Sequence, residues 1–183
     1  MQIIFCKPNS VIGSLIQWFT KISWVGECRA IHVAIRYGRS ESRWLVEADK
    51  KGFCPNWWNS FVKKSKIQSQ YDVLGIDEDR LESIVDSQLD EYIDEGYDYG
   101  NVFGFAIIVL LYKITGKKFK NIFSWTNHLA CSEVTYKIFQ EVTRQTGIDY
   151  FGKHDPSCIF PEELLEECES RPRLFKRYVE EIY

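Results

Sequence analysis

The stretch Arg29-Ala30-Ile31-His32-Val33-Ala34-Ile35-Arg36 changes the period of the chain from helical to two. Ile31, Val33 and Ile35 fall on one face and His32, Ala34 and Arg36 on the other, the pattern of a half-buried β-strand. Trp44-Leu45-Val46-Glu47-Ala48 repeats it, with Trp44, Val46 and Ala48 on one side and Leu45 and Glu47 on the other. Gly38-Arg39-Ser40-Glu41 lies between them and reads as a hairpin turn. With residues 39 and 40 as a two-residue loop, His32 stands opposite Glu47. Directly opposed residues have Cβ atoms roughly 4.5–5.5 Å apart, near enough for a carboxylate to hold an imidazole N–H. A slip of one residue would send Glu47 to the other face.

A hundred residues on, Leu129-Ala130-Cys131-Ser132-Glu133-Val134 opens an amphipathic run in which Val134, Ile138 and Val142 recur every four residues. This predicts a helix with one buried face, with Thr126 or Asn127 as its cap. Cys131 then sits in or near the first turn, where unpaired N–H groups and the helix dipole favour the thiolate. Taken alone it reads as a small buried cysteine. Together with a strand histidine and a carboxylate able to orient that histidine, it forms the thiol analogue of a nucleophile–base–orienter triad.

The rest of the chain frames these segments. Residues 2–6 predict a strand, and Ser10 caps a helix carrying Ile12, Leu15, Ile16 and Phe19 on one stripe. Residues 50–66, with Trp57-Trp58 and then Lys63, Lys64 and Lys66, read as a loop with aromatic anchors, and residues 70–74 as a strand. Residues 78–95 give a helix with Leu81, Ile84, Val85, Leu89, Tyr92 and Ile93 on one face, capped by Asp77 or Asp79 and ended by Gly96. Tyr97-Asp98-Tyr99-Gly100 reads as a turn feeding the apolar run 102–112. That run is too short for the ~20 residues of a spanning helix and reads as a core helix. Residues 160–165 open a short helix with Pro161 at its start, and the tail 173–183 is expected to pack back on the sheet. The whole predicts one α+β domain, an antiparallel sheet flanked by helices, over residues 1–183.

Composition sets limits. The chain of 183 residues is 45% hydrophobic and 27% charged, as in an ordinary single domain. Its net charge of −3 leaves no basic excess to neutralise phosphates, which argues against a nucleic-acid partner. The six cysteines show no C-x-x-C spacing and the start no basic leader, so reduced thiols in a cytoplasm are expected. His128 and Cys131 would share a helical face, but no second pair completes a zinc set, and no cofactor is expected. His154-Asp155 offers an alternative base in a loop. There is no G-x-S-x-G, H-E-x-x-H or Gly-rich phosphate loop.

The order Ile31-His32-Val33-Ala34-Ile35, Val46-Glu47-Ala48, Tyr97-Asp98-Tyr99, Cys131-Ser132-Glu133-Val134 and Pro161-Glu162-Glu163-Leu164 resembles the circularly permuted NlpC-like hydrolases, most closely their YiiX-type branch. These are papain-fold proteins in which the histidine precedes the cysteine, and the likeness covers most of the chain. The resemblance implies Cys131 as nucleophile, His32 as base and acid, Glu47 as orienter and Tyr97 near the substrate groove. It implies hydrolysis of an amide bond in a peptide, isopeptide or peptidoglycan-type substrate, or of a related small acyl substrate. Arg29 and Ala30 depart from the small polar residue expected before the histidine. The lack of a leader puts a wall substrate in doubt unless another route, such as a phage lysis step, delivers the protein. Two further readings stand beside this one. A lipid-acting relative of lecithin retinol acyltransferase would use the run 102–112 as a membrane-facing groove, although Ala130-Cys131-Ser132-Glu133 lacks that branch's Asn-Cys-Glu-His pattern. A binding protein that keeps the fold without catalysis is the other. Membrane association is the lesser expectation, and the oligomeric state is open.

Overall fold

The structure is a computed structural model that describes residues 1–9, 11–23, 25–37, 44–49, 52–93, 96–97, 99–117, 119 and 128–178. Its strands are β1 (Gln2–Lys7), β2 (His32–Arg36), β3 (Trp44–Asp49), β4 (Gly52–Trp57), β5 (Lys66–Val73), β6 (Gly96–Tyr97), β7 (His128–Leu129) and β8 (Phe175–Arg177). Six of them form an antiparallel sheet in the order β4-β3-β2-β1-β5-β8, and β6 and β7 make a separate parallel pair. The helices are α1 (Val11–Ile22), α2 (Trp58–Lys64), α3 (Glu78–Tyr92), α4 (Tyr99–Thr115), α5 (Cys131–Thr146) and α6 (Pro161–Ser170). The architecture is α+β, as the alternation of periods predicts.

Strand β1 lies inside the sheet because both its faces are apolar. Ile3 and Phe5 turn to one side, Ile4 and Cys6 to the other, and all four are buried. On the first side Val33, Ile35, Val46, Ala48 and Tyr71 continue the surface, and α3, α5 and α6 cover it with Leu81, Val85, Val134, Ile138, Phe139 and Leu164. On the second side Ala34, Leu45 and Phe61 form a smaller cluster, closed by Trp58 and Ile67. The described part of the tail does return to the sheet: β8 pairs with β5, and its Phe175 stacks on Phe151 at 5.3 Å.

Several local expectations change. Residues 52–66, expected as part of a loop, instead hold β4, α2 and the start of β5. Gly52 and Pro55 hide the strand signal; a proline is tolerated because β4 is the sheet edge and has one side without a ladder. Strand β5 begins at Lys66, four residues before the predicted start. Helix α3 is capped by Asp77, which accepts from the Arg80 N–H at 3.1 Å, and stops at Tyr92. Ile93 is exposed, so the apolar face that would carry the helix further has ended, and Gly96 belongs to β6 instead. The predicted turn 97–100 is split between β6 and the first residues of α4. The run 102–112 is helical within α4 but only partly core: Ile108 and Val109 are buried, whereas Leu110 and Leu111 are exposed. Ser10, the residues of the 38–41 turn, and Thr126 and Asn127 lie outside the described residues.

The main core closes around Phe139, which meets Tyr150 at 5.4 Å and Phe151 at 4.7 Å, both edge to face. Phe139→Ala is expected to lower stability by about 3–5 kcal/mol. A urea titration should show this as a lower midpoint with an unchanged slope.

Candidate active site

His32 is the first residue of β2, and Glu47 lies in β3 on the same face of the sheet. The ladder pairs Glu47 with Ala34 rather than with His32, a displacement of two residues from the predicted register. Because side chains alternate, a shift of two restores the face that a shift of one would lose. Glu47 therefore meets His32 on the diagonal, within reach of long side chains. The His32 Nε2 to Glu47 Oε2 distance is 2.7 Å. On the other flank Glu47 pairs with Cys54, and Asn56, two residues further, donates from Nδ2 to Glu47 Oε1 at 2.9 Å. Three neighbouring strands thus set His32, Glu47 and Asn56 in one row, and the carboxylate uses both oxygens.

Cys131 arrives from the helical layer as the first residue of α5. The cap is Ala130, not Thr126 or Asn127, and it makes no side-chain capping bond. The first-turn N–H groups are therefore not occupied by a side chain at the cap position, where serine, threonine or asparagine would take one. The helix is pinned close by: Ser132 Oγ donates to the Ile159 carbonyl at 2.7 Å, and Thr135 Oγ1 donates to the Cys131 carbonyl at 2.9 Å. The thiol lies near enough to His32 for each group to shift the ionisation of the other. With Nε2 held by Glu47, Nδ1 is the ring nitrogen left for the sulfur.

The electrostatics favour an ion pair. Burial opposes ionisation of Cys131 and is the largest single influence. The His32 charge and hydrogen bond, joined by the Val33 and Ser132 backbone N–H groups, outweigh it and hold the thiol below its ordinary value. Burial likewise pulls His32 down, but Cys131 and then Glu47 push the imidazole well above its ordinary value. Burial would raise Glu47, yet the His32 bond and charge, with smaller help from Asn56 and Lys64, hold it below the usual carboxylate range. The signs are consistent. A lowered thiol favours the thiolate, a raised imidazole favours the imidazolium, and each charge stabilises the other.

A second thiol shows the opposite outcome. Cys6 lies directly across the ladder from His32 and is buried. Its pKa is pushed up to about 12, first by burial and then by the Glu47 and Cys131 charges. Cys28 and Cys168 are also raised by burial, and no disulfide links the six cysteines.

Two contributors escape a reading of the sequence. Asn56 is hidden because β4 is hidden; the pair Pro55-Asn56 reads as a break until the strand is seen. Glu162 is fully buried, and its carboxylate accepts from the Arg29 and Ala30 N–H groups, the latter at 2.8 Å, and from Arg29 Nε at 2.7 Å. It fastens the start of α6 to the segment that delivers His32. Arg29 completes the clasp by donating both terminal nitrogens to Glu169. Tyr97 has its backbone in β6 beside Leu129, two residues from Cys131; its side chain lies outside what the structure describes, as does that of His128. His154 pairs with Glu167 through Nε2 at 3.0 Å, not with Cys131, so the alternative base is engaged elsewhere. Among the described residues no group of three or more His, Cys, Asp and Glu side chains is placed to hold a metal ion.

The ion pair predicts selective alkylation. At about pH 7, iodoacetamide should label Cys131 before Cys6, Cys28 and Cys168, and His32→Ala should slow Cys131 about tenfold. Peptide mass spectrometry against pH reads both, and a Cys131 profile titrating no lower than an ordinary thiol would contradict the pairing. Separately, Glu162→Gln removes a buried charged acceptor and should cost about 1.5–3 kcal/mol of stability in a urea titration.

No family model, curated protein or solved structure matches the chain. The geometry of the site is the ground for any functional reading.

Proposed function

We propose that the protein is a cysteine hydrolase cleaving an amide bond, with the permuted papain-like arrangement that its motif order resembles. One arrangement carries the reading: a thiol at the first residue of a helix, held below its ordinary value by His32, with His32 bonded to Glu47 and Glu47 to Asn56. A buried thiol with no task rises in pKa, as Cys6 does; Cys131 goes the other way in the same neighbourhood.

In this reading the Cys131 thiolate attacks the carbonyl carbon and forms the S–C bond. The resulting oxyanion is held by the Cys131 backbone N–H in the first helical turn. As the tetrahedral species collapses, the C–N bond breaks and the His32 imidazolium gives its proton to the leaving amine. A water molecule then attacks the thioester carbonyl while neutral His32 accepts its proton. The S–C bond breaks, releasing the acid and restoring the thiolate. Glu47 keeps the ring oriented and stabilises its charged form, and Asn56 keeps Glu47 in place.

The substrate class is a peptide, isopeptide or peptidoglycan-type amide. A thiol enzyme acting on lipid esters is the second reading, favoured by the exposed apolar residues of α4, whose N-terminus follows β6 beside the strand that leads to Cys131. A panel of peptidoglycan fragments, isopeptides and acyl esters separates the two.

On whichever substrate turns over, Cys131→Ala and His32→Ala should each lower kcat by about 10⁴-fold or more, with Glu47→Ala less damaging by about one to two orders of magnitude. Thermal melting should show that the two first variants stay folded. kcat/KM should plateau across neutral pH, falling on the acid side as Cys131 protonates and on the basic side as His32 loses its proton. Turnover that survives Cys131→Ala would refute the mechanism.

A further inference from the structure

Among the described residues, five of the eleven exposed large apolar side chains lie on two helices that pack against each other, α1 and α4. On α1, Leu15 is 54% exposed and Trp18 55%; on α4, Leu110 is 61% and Ile114 73%, with Leu111 also exposed. Within each helix these residues recur at three- and four-residue intervals, so each helix turns a stripe outward. A core helix would not expose them, and scattered single apolar residues would not align.

The charges that the two helices themselves carry are of one sign. The 26 acidic residues of the chain all lie outside residues 1–26 and 99–132. Those two stretches carry Lys7, Lys21, Lys113, Lys117, Lys118 and Lys120. Lys21 stands in the last turn of α1, Lys113 in the last turn of α4 and Lys117 just beyond it, all exposed. A chain of net charge −3 has therefore withdrawn every carboxylate from the two helices that display its apolar surface. An acidic partner protein would match the lysines but not a stripe of Trp, Leu and Ile. A second copy of this chain would bring the same lysines to face one another.

We infer that α1 and α4 form a docking surface for an anionic phospholipid bilayer, with Leu15, Trp18, Leu110 and Ile114 entering the interface and Lys21, Lys113 and Lys117 meeting the headgroups. The helices lie on the bilayer and do not cross it. No helix among the described residues is long and apolar enough to span, and the 17 residues of α4 reach only about 26 Å against a hydrocarbon core of about 30 Å. Interfacial helices of this kind bury their apolar face to a depth of about 5–10 Å. Helix α4 starts two residues after Tyr97, and Tyr97 pairs with Leu129, two residues before Cys131. Docking would thus hold the root of α4, and with it the candidate site, at the membrane, whatever acyl bond the site takes.

Flotation of the full chain with vesicles of mixed phosphatidylcholine and phosphatidylglycerol tests this without reference to activity. The protein should float with the mixed vesicles, float less with phosphatidylcholine alone, and come off as salt shortens the screening length from about 30 Å at 0.01 M to about 3 Å at 1 M. Lys113→Ala with Lys117→Ala should weaken partition about 25-fold, at roughly fivefold per lysine. Leu110→Ser with Ile114→Ser should weaken it about tenfold or more. All four positions are exposed, so melting temperature should hold in both double variants. Failure to float with the mixed vesicles at low salt overturns the proposal. So does flotation that both double variants leave unchanged, which would place binding elsewhere. A dimer in light scattering that the Leu110→Ser/Ile114→Ser variant dissolves, with no flotation, would assign the face to a second copy and overturn it as well.

Discussion

The 2.7 Å contact between His32 and Glu47 is the constraint on which the candidate site depends. It is made across a diagonal of the sheet, so it holds only while β2 and β3 keep their register. That register is kept by the core, not by the site: Val33, Ile35, Val46 and Ala48 are buried on the opposite face, and any one-residue slip would expose them. The polar row of His32, Glu47 and Asn56 therefore inherits its geometry from apolar packing behind it. Moving the carboxylate would require unpacking the face that stabilises the domain.

Cys131 depends on a second layer. The helix that carries it contributes Val134, Ile138, Phe139 and Val142 to the core, and Ser132 ties its first turn to the Ile159 carbonyl. The segment before His32 is held independently by Glu162, whose carboxylate is taken up by the Arg29 and Ala30 N–H groups and the Arg29 side chain. Cysteine and histidine lie 99 residues apart in the chain, yet each is fixed by an element packed on the same sheet. Such a site is preorganised by burial, and its charges meet without either side chain having to search.

Cys6 and Cys131 show how strongly the surroundings decide the chemistry of one residue type. Both are buried, and burial alone raises a thiol. Cys6 has Glu47 and Cys131 as electrostatic neighbours, so its thiolate would meet like charge and its pKa rises further. Cys131 faces His32 and two backbone N–H groups, and its pKa falls. Placement alone separates a thiol pushed up by its neighbours from one held below its ordinary value.

The sequence by itself determined the elements whose signal is local. The two-residue period marked β2 and β3, the four-residue recurrence of Val134, Ile138 and Val142 marked α5, and Asp77 with the following apolar face marked the start of α3. His32, Glu47 and Cys131 could be singled out because periodicity says which face of a strand, or which turn of a helix, a residue occupies. Distance is not in that signal. The Glu47 register, the strand hidden under Gly52 and Pro55, the bond from Asn56 and the clasp of Glu162 on Arg29 were decided only in three dimensions. The outward turn of α4 belongs with them: its sequence is apolar on nearly every side, and a helix of that composition does not state which side the rest of the chain will cover. Local propensity is set by neighbours along the chain, whereas register and burial are set by residues tens of positions away.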